Sequence, residues 1–175
     1  MVAKVTKGLV IINTGDGKGK TTAALGMAMR AVGHGKRVAF VLFIKAWSVG
    51  EHRAAERLGP DLEIFRMGRG FVVGQPTDEH LTAAREALEF AGRCLVEGRY
   101  DMVVADEILS AVGLKLISAG DVESLLALRP PQVHLVLTGR GAWPGLIERA
   151  DLVTDMRLVK HPFEKGVEGQ EGVEF

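Results

Sequence analysis

The sequence predicts an α/β protein of one domain, with a mostly parallel central sheet and helices on both faces. Short, continuous apolar runs recur along the chain, the signature of strands covered on both sides. Longer amphipathic runs alternate with them, which implies right-handed β-α-β crossovers. The first apolar run also leads straight into a glycine-rich loop that opens a helix. At 175 residues the chain is large enough to bury a proper core, so residues 1–175 are expected to form a single domain.

Each element follows in order. Leu9-Val10-Ile11-Ile12 reads as a buried strand, and Lys20 to Val32, rich in Ala, Met and Leu, as a helix stopped by Gly33-His34-Gly35. Arg37 to Ile44 is a second strand, and Leu62 to Phe65 a shorter third. Thr77 caps the next helix with Asp78 and Glu79 in its first turn. Leu81, Ala84, Leu88, Ala91 and Leu95 form one apolar face of that helix. Met102 to Ala105 and Val133 to Leu137 are two further strands, and Leu152-Val153 is a weak last candidate. Asp121 is expected to cap a short helix ending before Pro130-Pro131. Beyond Lys160, glycines at 166, 169 and 172 and the lack of periodicity mark residues 160–175 as a loop or tail.

Composition narrows the function classes. Formal net charge is zero, so no long-range field argues for a nucleic acid or a membrane. Cys94 is the single cysteine, which excludes an intrachain disulfide and a thiolate metal cluster and fits a reducing cytoplasm. Met1 to Gly8 lacks an apolar stretch of signal-peptide length, and no run approaches the roughly 18 apolar residues of a membrane span. The histidines at 34, 52, 80, 134 and 161 are scattered, and no Ser-His-Asp or Cys-His arrangement emerges.

The chemistry concentrates in Gly15-Asp16-Gly17-Lys18-Gly19-Lys20-Thr21-Thr22. Glycines at alternate positions let backbone amides approach phosphate oxygens, and the helix N-terminus adds partial positive charge. Lys20 supplies a cation for a triphosphate, and Thr21 a hydroxyl for Mg²⁺. The fold is therefore expected to be phosphate-loop NTPase-like (RecA-like). One position departs from the usual G-x-x-x-x-G-K-[ST] spacing: Thr14 stands where the first glycine belongs, and Gly15 comes one place late.

Asp106-Glu107, at the end of the strand Met102 to Ala105, provides the acidic pair that holds Mg²⁺ in such enzymes. The bland alternative is a helix cap beside a solvated glutamate. Thr138-Gly139-Arg140-Gly141 follows the strand Val133 to Leu137, so Arg140 should face the same side and bind phosphate; a surface turn is the alternative.

These phrases occur together with Phe43-Ile44-Lys45-Ala46-Trp47, Gly50-Glu51, Met67-Gly68-Arg69-Gly70-Phe71, Asp106-Glu107-Ile108-Leu109, Arg129-Pro130, Ala150-Asp151, Arg157 to His161, Gly166-Val167 and Gln170 to Val173. The ordered set, from about Gly8 to Phe175, resembles ATP:corrinoid adenosyltransferases of the CobA/BtuR type. The resemblance implies that ATP and a reduced corrinoid are the substrates. The corrinoid cobalt attacks C5′ of ATP, and triphosphate leaves whole. It further implies that ATP lies in the loop in reversed polarity, with which the late Gly15 is consistent. No protein nucleophile is then required, because the corrinoid carries that chemistry.

Carried over by resemblance, Gly15 to Thr22 cradle the triphosphate, Lys20 balances the leaving-group charge, and Arg140 binds phosphate. Thr21 and Glu107, with Asp106 beside it, hold Mg²⁺. Asp16 lies next to the nucleoside, while Arg30 and Lys45-Ala46-Trp47 match the nucleotide and corrinoid sides. In relatives a Gly-Phe-Thr-Trp motif puts aromatics under the corrin ring to displace the lower cobalt ligand. Here it reads Gly70-Phe71-Val72-Val73, so Val73 stands in the tryptophan position. Val73 can exclude water but offers less area, and Phe71 could instead pack in the core. The resemblance also implies a homodimer and an electron donor such as a flavoprotein reductase. With the loop starting at residue 15, no room is expected for the N-terminal helix with which some relatives cap a neighbouring site. Two other readings stay open: a phosphate-loop ATPase or kinase cleaving between phosphates, and a nucleotide-dependent corrinoid carrier.

Overall fold

The computed structural model describes residues 7–174. The expectations about a signal peptide and an N-terminal capping helix fall largely on residues 1–6, outside the described part. Strands β1 (Val10–Thr14), β2 (Val38–Leu42), β3 (Leu62–Arg66), β4 (Met102–Asp106), β5 (His134–Thr138) and β6 (Leu152–Asp155) form one sheet in the order β3-β2-β4-β5-β1-β6. Every pairing is parallel, which is more uniform than the sequence required.

The strands explain why helices cover both faces. Alternate residues such as Ile12, Val41, Val103 and Leu137 pack with Ala84, Ala87 and Ala91 of α3 (Asp78–Val96) and Leu125 of α5 (Ala119–Leu128). Their neighbours Ile11, Phe40, Val104 and Val136 pack with Ala24 and Ala28 of α1 (Lys20–Val32) and Ala55 of α2 (Gly50–Leu58). Strands with no polar face need two apolar layers, and alanine-lined helices can lie close to them. The edge strand β6 is the exception. All of its residues are exposed and it pairs only with β1, so its apolar signal was weak.

Some local expectations need correction. Ser118, not Asp121, is the N-cap of α5: its Oγ accepts from the Asp121 N–H at 3.2 Å. The Asp121 carboxylate in turn accepts from the Ser118 N–H at 2.7 Å. Asp121 is thus the third residue of a capping box. The sequence pattern also passed over α2, α4 (Ile108–Gly113) and α6 (Pro144–Arg149). Among the described residues, 160–174 carry no regular element apart from a single 3₁₀ turn over Pro162–Lys165.

Two phrases of the resemblance turn out to brace the frame. Arg129 Nη1 donates to the Val133 carbonyl at 2.8 Å and the Pro130 carbonyl at 3.2 Å, fixing the entry to β5. Asp151 Oδ2 accepts the Val10 N–H at 2.9 Å, tying β6 to β1. The carboxyl ends of β1, β4 and β5 then open on one edge of the sheet, where ligands of parallel sheets bind.

Candidate functional site

The loop after β1 is shaped by close backbone approach. Gly15 has φ +97° and Gly19 φ +117°, in the region only glycine enters freely. A Cβ on Gly15 would collide with the Asp155 carboxylate and the Met156 backbone. The Gly17 N–H donates to the Met156 carbonyl at 2.6 Å. Thr14, by contrast, is the last residue of β1 and is buried, and its Oγ1 accepts from the Ala142 N–H at 3.4 Å. The positive φ therefore falls at Gly15, which accounts for the late glycine.

Lys20 begins α1 and is only 8% exposed. Its Nζ donates to the carbonyls of Gly15 and Gly17, both at 2.7 Å, which centres the ammonium inside the loop. Burial lowers its pKa, while the charge of Glu107 pulls the other way. Thr22 and Lys18 of the same loop are exposed.

Asp106 ends β4 and is 1% exposed. Its Oδ1 accepts from Thr21 Oγ1 at 2.9 Å and from Thr138 Oγ1 at 2.7 Å. Its Oδ2 is buried with no hydrogen-bond partner among the described residues. Burial pushes its pKa up to about 6, against the pull of Lys45. Glu107 sits at φ +62° as the N-cap of α4. Its N–H donates to Thr138 Oγ1 at 2.8 Å, and its carboxylate accepts from Ser110 Oγ. Ser110 Oγ also accepts the Arg140 N–H at 3.1 Å. Neither side of the earlier alternative is complete: Glu107 is both a helix cap and a cavity residue, and Asp106 is no cap. The buried, unpaired carboxylate oxygen beside a threonine hydroxyl fits a hard cation. No cluster of three His, Cys, Asp or Glu accompanies it among the described residues.

Arg140 is exposed at the mouth of the site, its Nε 3.6 Å from Asp16 Oδ1. Asp16 thus reaches across to the β5 loop. A cavity of about 560 Å³ opens beside Lys20, Glu107 and Arg140, with Thr21, Asp106 and Thr138 outside its lining. Lys20, Lys45, Glu107 and Arg140 supply its charged lining, and Ile44, Phe71, Val72 and Leu114 its apolar one.

The apolar rim is hung on the end of β2. The N–H groups of Met67 and Gly68 donate to the Leu42 carbonyl at 3.1 and 3.2 Å, and that of Gly70 to the Ile44 carbonyl at 2.8 Å. A Cβ on Gly68 would overlap the Ile44 backbone. Phe71 is 71% exposed, so it does not pack in the core. Its ring centroid lies 4.9 Å from that of Trp47, with the planes at 48°. Val73 is 92% exposed and outside the cavity lining; Val72 is the valine that faces it. The aromatic partner of Phe71 therefore comes from residue 47, not from residue 73.

Besides Val73, Arg30 is an expected site residue that the fold separates from the rest. It lies in the last turn of α1, about 15 Å along the helix from Lys20. There it shares a groove with His34, Lys36 and the first residues of β4 and β5, Met102 and His134, at the opposite edge of the sheet. Sequence reasoning missed Ser110, Thr138 as an orienting hydroxyl, and the apolar wall of Ile44 and Leu114. Thr138 had a signal in its place beside Arg140; Ser110 had none. Cys94 is buried and its thiol is pushed up to about 11, so no thiolate nucleophile stands near neutral pH.

The chain matches a family model described as CobA_CobO_BtuR, "ATP:corrinoid adenosyltransferase BtuR/CobO/CobP", over residues 6–175. It is 41% identical to the corrinoid adenosyltransferase of Escherichia coli (strain K12) over 175 residues, covering 99% of this chain and 88% of that protein. It is 43% identical to a corrinoid adenosyltransferase of Sinorhizobium sp over 173 residues, 97% of this chain and 81% of that one. Corrinoid adenosyltransferase CobA of Salmonella typhimurium (strain LT2) is 40% identical over 175 residues, covering 99% and 88% respectively. No helix among the described residues is long and apolar enough to cross a membrane.

Proposed function

The chain belongs to the ATP:corrinoid adenosyltransferase family, and we propose that it transfers the 5′-deoxyadenosyl group of ATP to a reduced corrinoid. The observation that carries this reading is a juxtaposition. The cations Lys20 and Arg140 and the ring of Phe71 line one cavity, whose hydroxyl, Ser110 Oγ, is engaged with the Glu107 carboxylate and the Arg140 N–H. The nucleophile then arrives with the second substrate. The electron pair of cobalt(I) forms the Co–C5′ bond, the C5′–O bond breaks, and its pair leaves with the triphosphate.

Each residue has a role in that step. The loop amides other than that of Gly17, which the Met156 carbonyl holds, and the Lys20 ammonium take up charge that develops on the leaving oxygens. Lys18, Thr22 and Arg140 bind the outer phosphates. Thr21 and Asp106, with Glu107 adjacent, would hold Mg²⁺, which neutralises triphosphate charge when bound. Asp16 orients Arg140 and stands ready to accept a ribose hydroxyl. ATP lies with C5′ toward Phe71, reversed relative to ordinary ATPases.

On the other wall, Phe71, Trp47 and Val72 offer the corrin ring an apolar surface and exclude its lower ligand. Loss of that ligand makes cobalt(II) easier to reduce. The whole chain acts as one domain, as a homodimer in the cytoplasm, supplied with electrons by a flavoprotein reductase. Anaerobic incubation with ATP, Mg²⁺ and cob(I)alamin tests the reading. Adenosylcobalamin and inorganic triphosphate are expected in equal amounts; ADP with phosphate would overturn it.

A further inference from the structure

The tail after β6 meets the phosphate loop twice. It leaves at Met156, whose carbonyl accepts the Gly17 N–H, and returns at its far end. There Glu174 Oε2 stands 2.5 Å from Lys18 Nζ, which also donates to the Val173 carbonyl at 2.8 Å. A turn holds this end in shape, with the N–H groups of Val173 and Glu174 donating to the Gln170 carbonyl and Gly172 at φ +76°. A second pair, Arg53 to Glu171 at 3.4 Å, fastens the same turn to α2. The tail therefore spans from the phosphate side of the cavity to the helix that follows Trp47.

If Lys18 binds an outer phosphate, as in the proposed function, a triphosphate on the loop and the Glu174 carboxylate need the same ammonium. We propose that Glu174 is a positioning residue that competes with the triphosphate for Lys18, so that the tail lifts as phosphate binds and reseats as it leaves. The contact is suited to exchange. The Lys18 and Glu174 side chains are 39% and 28% exposed, so water and salt screen the pair. A polyanion that also engages the loop amides and Lys20 outcompetes a single carboxylate. The proposal rests on the adenosyl-transfer reading in one respect: there triphosphate leaves whole and binds the loop tightly as product. Reseating of Glu174 would then speed its departure. The carboxylate thus sets product release and leaves the chemical step alone.

Calorimetric titration of the full chain with inorganic triphosphate at low salt tests this. Glu174→Gln should bind about two- to fivefold tighter than the parent, and Glu171→Gln should shift the same way by less. In a Lys18→Ala background, Glu174→Gln should change nothing, a cycle that separates competition from general loosening. Hydrogen exchange in the backbone of 166–174 should rise when triphosphate is added to the parent chain. In turnover, triphosphate should inhibit Glu174→Gln more strongly, with the corrinoid KM unchanged. Equal affinities in parent and Glu174→Gln, or exchange that does not respond, would overturn the proposal. A parent chain that binds no triphosphate would overturn both this and the proposed function. ADP as the nucleotide product would sink the adenosyl-transfer reading and leave the competition at Lys18 standing.

Discussion

The two walls of the cavity are built on different terms. On the polar side, Lys20 lines the cavity with Asp106 and Thr138 behind it; all three are buried, and hydrogen bonds fix them between β1, β4 and β5. On the apolar wall, Phe71 and Trp47 are exposed and come from separate loops. Charge stabilisation demands groups that need no rearrangement when charge develops, so it is bought with burial and with carbonyls and hydroxyls already in place. A flat apolar ligand demands area instead, and area can be presented by side chains that stay wet until it arrives. The proposed function would join a buried, hydrogen-bonded polar half to an exposed apolar half.

The largest expected effect strikes the polar wall. Lys20→Ala should cut turnover by at least about a hundredfold, the scale of losing a charge-stabilising donor. Corrinoid affinity, measured by spectral titration, should stay within about twofold. Equal loss of both would merge the two walls into one functional unit and break the contrast.

Asp106→Asn comes next and sharpens it. Turnover should again fall by about a hundredfold, because the buried carboxylate oxygen that fits a cation is gone. Stability of the ligand-free chain should move the other way. The folded-state pKa of Asp106, about 6, lies above its unfolded value, so ionisation costs the folded protein stability as pH rises through 6. The asparagine variant should therefore be more stable by about 1–3 kcal/mol at pH 8, with the advantage fading below pH 4. Urea denaturation at the two pH values checks it; a variant less stable at pH 8 would show that the charge is not strained.

The apolar wall should respond more mildly and at a different step. Phe71→Ala or Trp47→Ala should slow reduction of bound cobalt(II) by about tenfold, the scale of losing a stacked aromatic contact. Transfer from preformed cob(I)alamin should change far less. Smallest of all is Val73→Trp. Because Trp47 already partners Phe71 and Val73 is almost fully exposed, reduction should change by less than about threefold. A large gain would return residue 73 to the corrinoid wall and displace Trp47 from it.

The same contrast governs what could be read from the sequence. The polar wall is local: Gly15 to Thr22 is one contiguous stretch, Asp106-Glu107 another, and each follows a continuous apolar run that reads as a strand of one parallel sheet. The boundaries of α1 were legible to the residue, since a glycine loop starts the helix and glycines stop it. The apolar wall joins Trp47 to Phe71 through the backbone hydrogen bonds of residues 67–70 along β2. No spacing rule encodes that approach: the sequence matches Trp47 to the corrinoid side only by resemblance, and the same resemblance sets Val73 where an aromatic stands in relatives. Arg30 misled for a related reason. Similarity of sequence carries no length scale, whereas α1 removes it about 15 Å from the loop. Ser110 lay hidden in α4, a helix of six residues too short for any periodicity to register. Thr138 was visible, but its role depends on β4 and β5 lying side by side.

The central claim is that the two walls meet at C5′ and that triphosphate departs whole. ATP carrying oxygen-18 in the bridge between C5′ and the α-phosphorus tests this most directly. After anaerobic turnover with cob(I)alamin, all of the label should reside in inorganic triphosphate. Label retained on a nucleotide product would mean cleavage at phosphorus and would contradict the account.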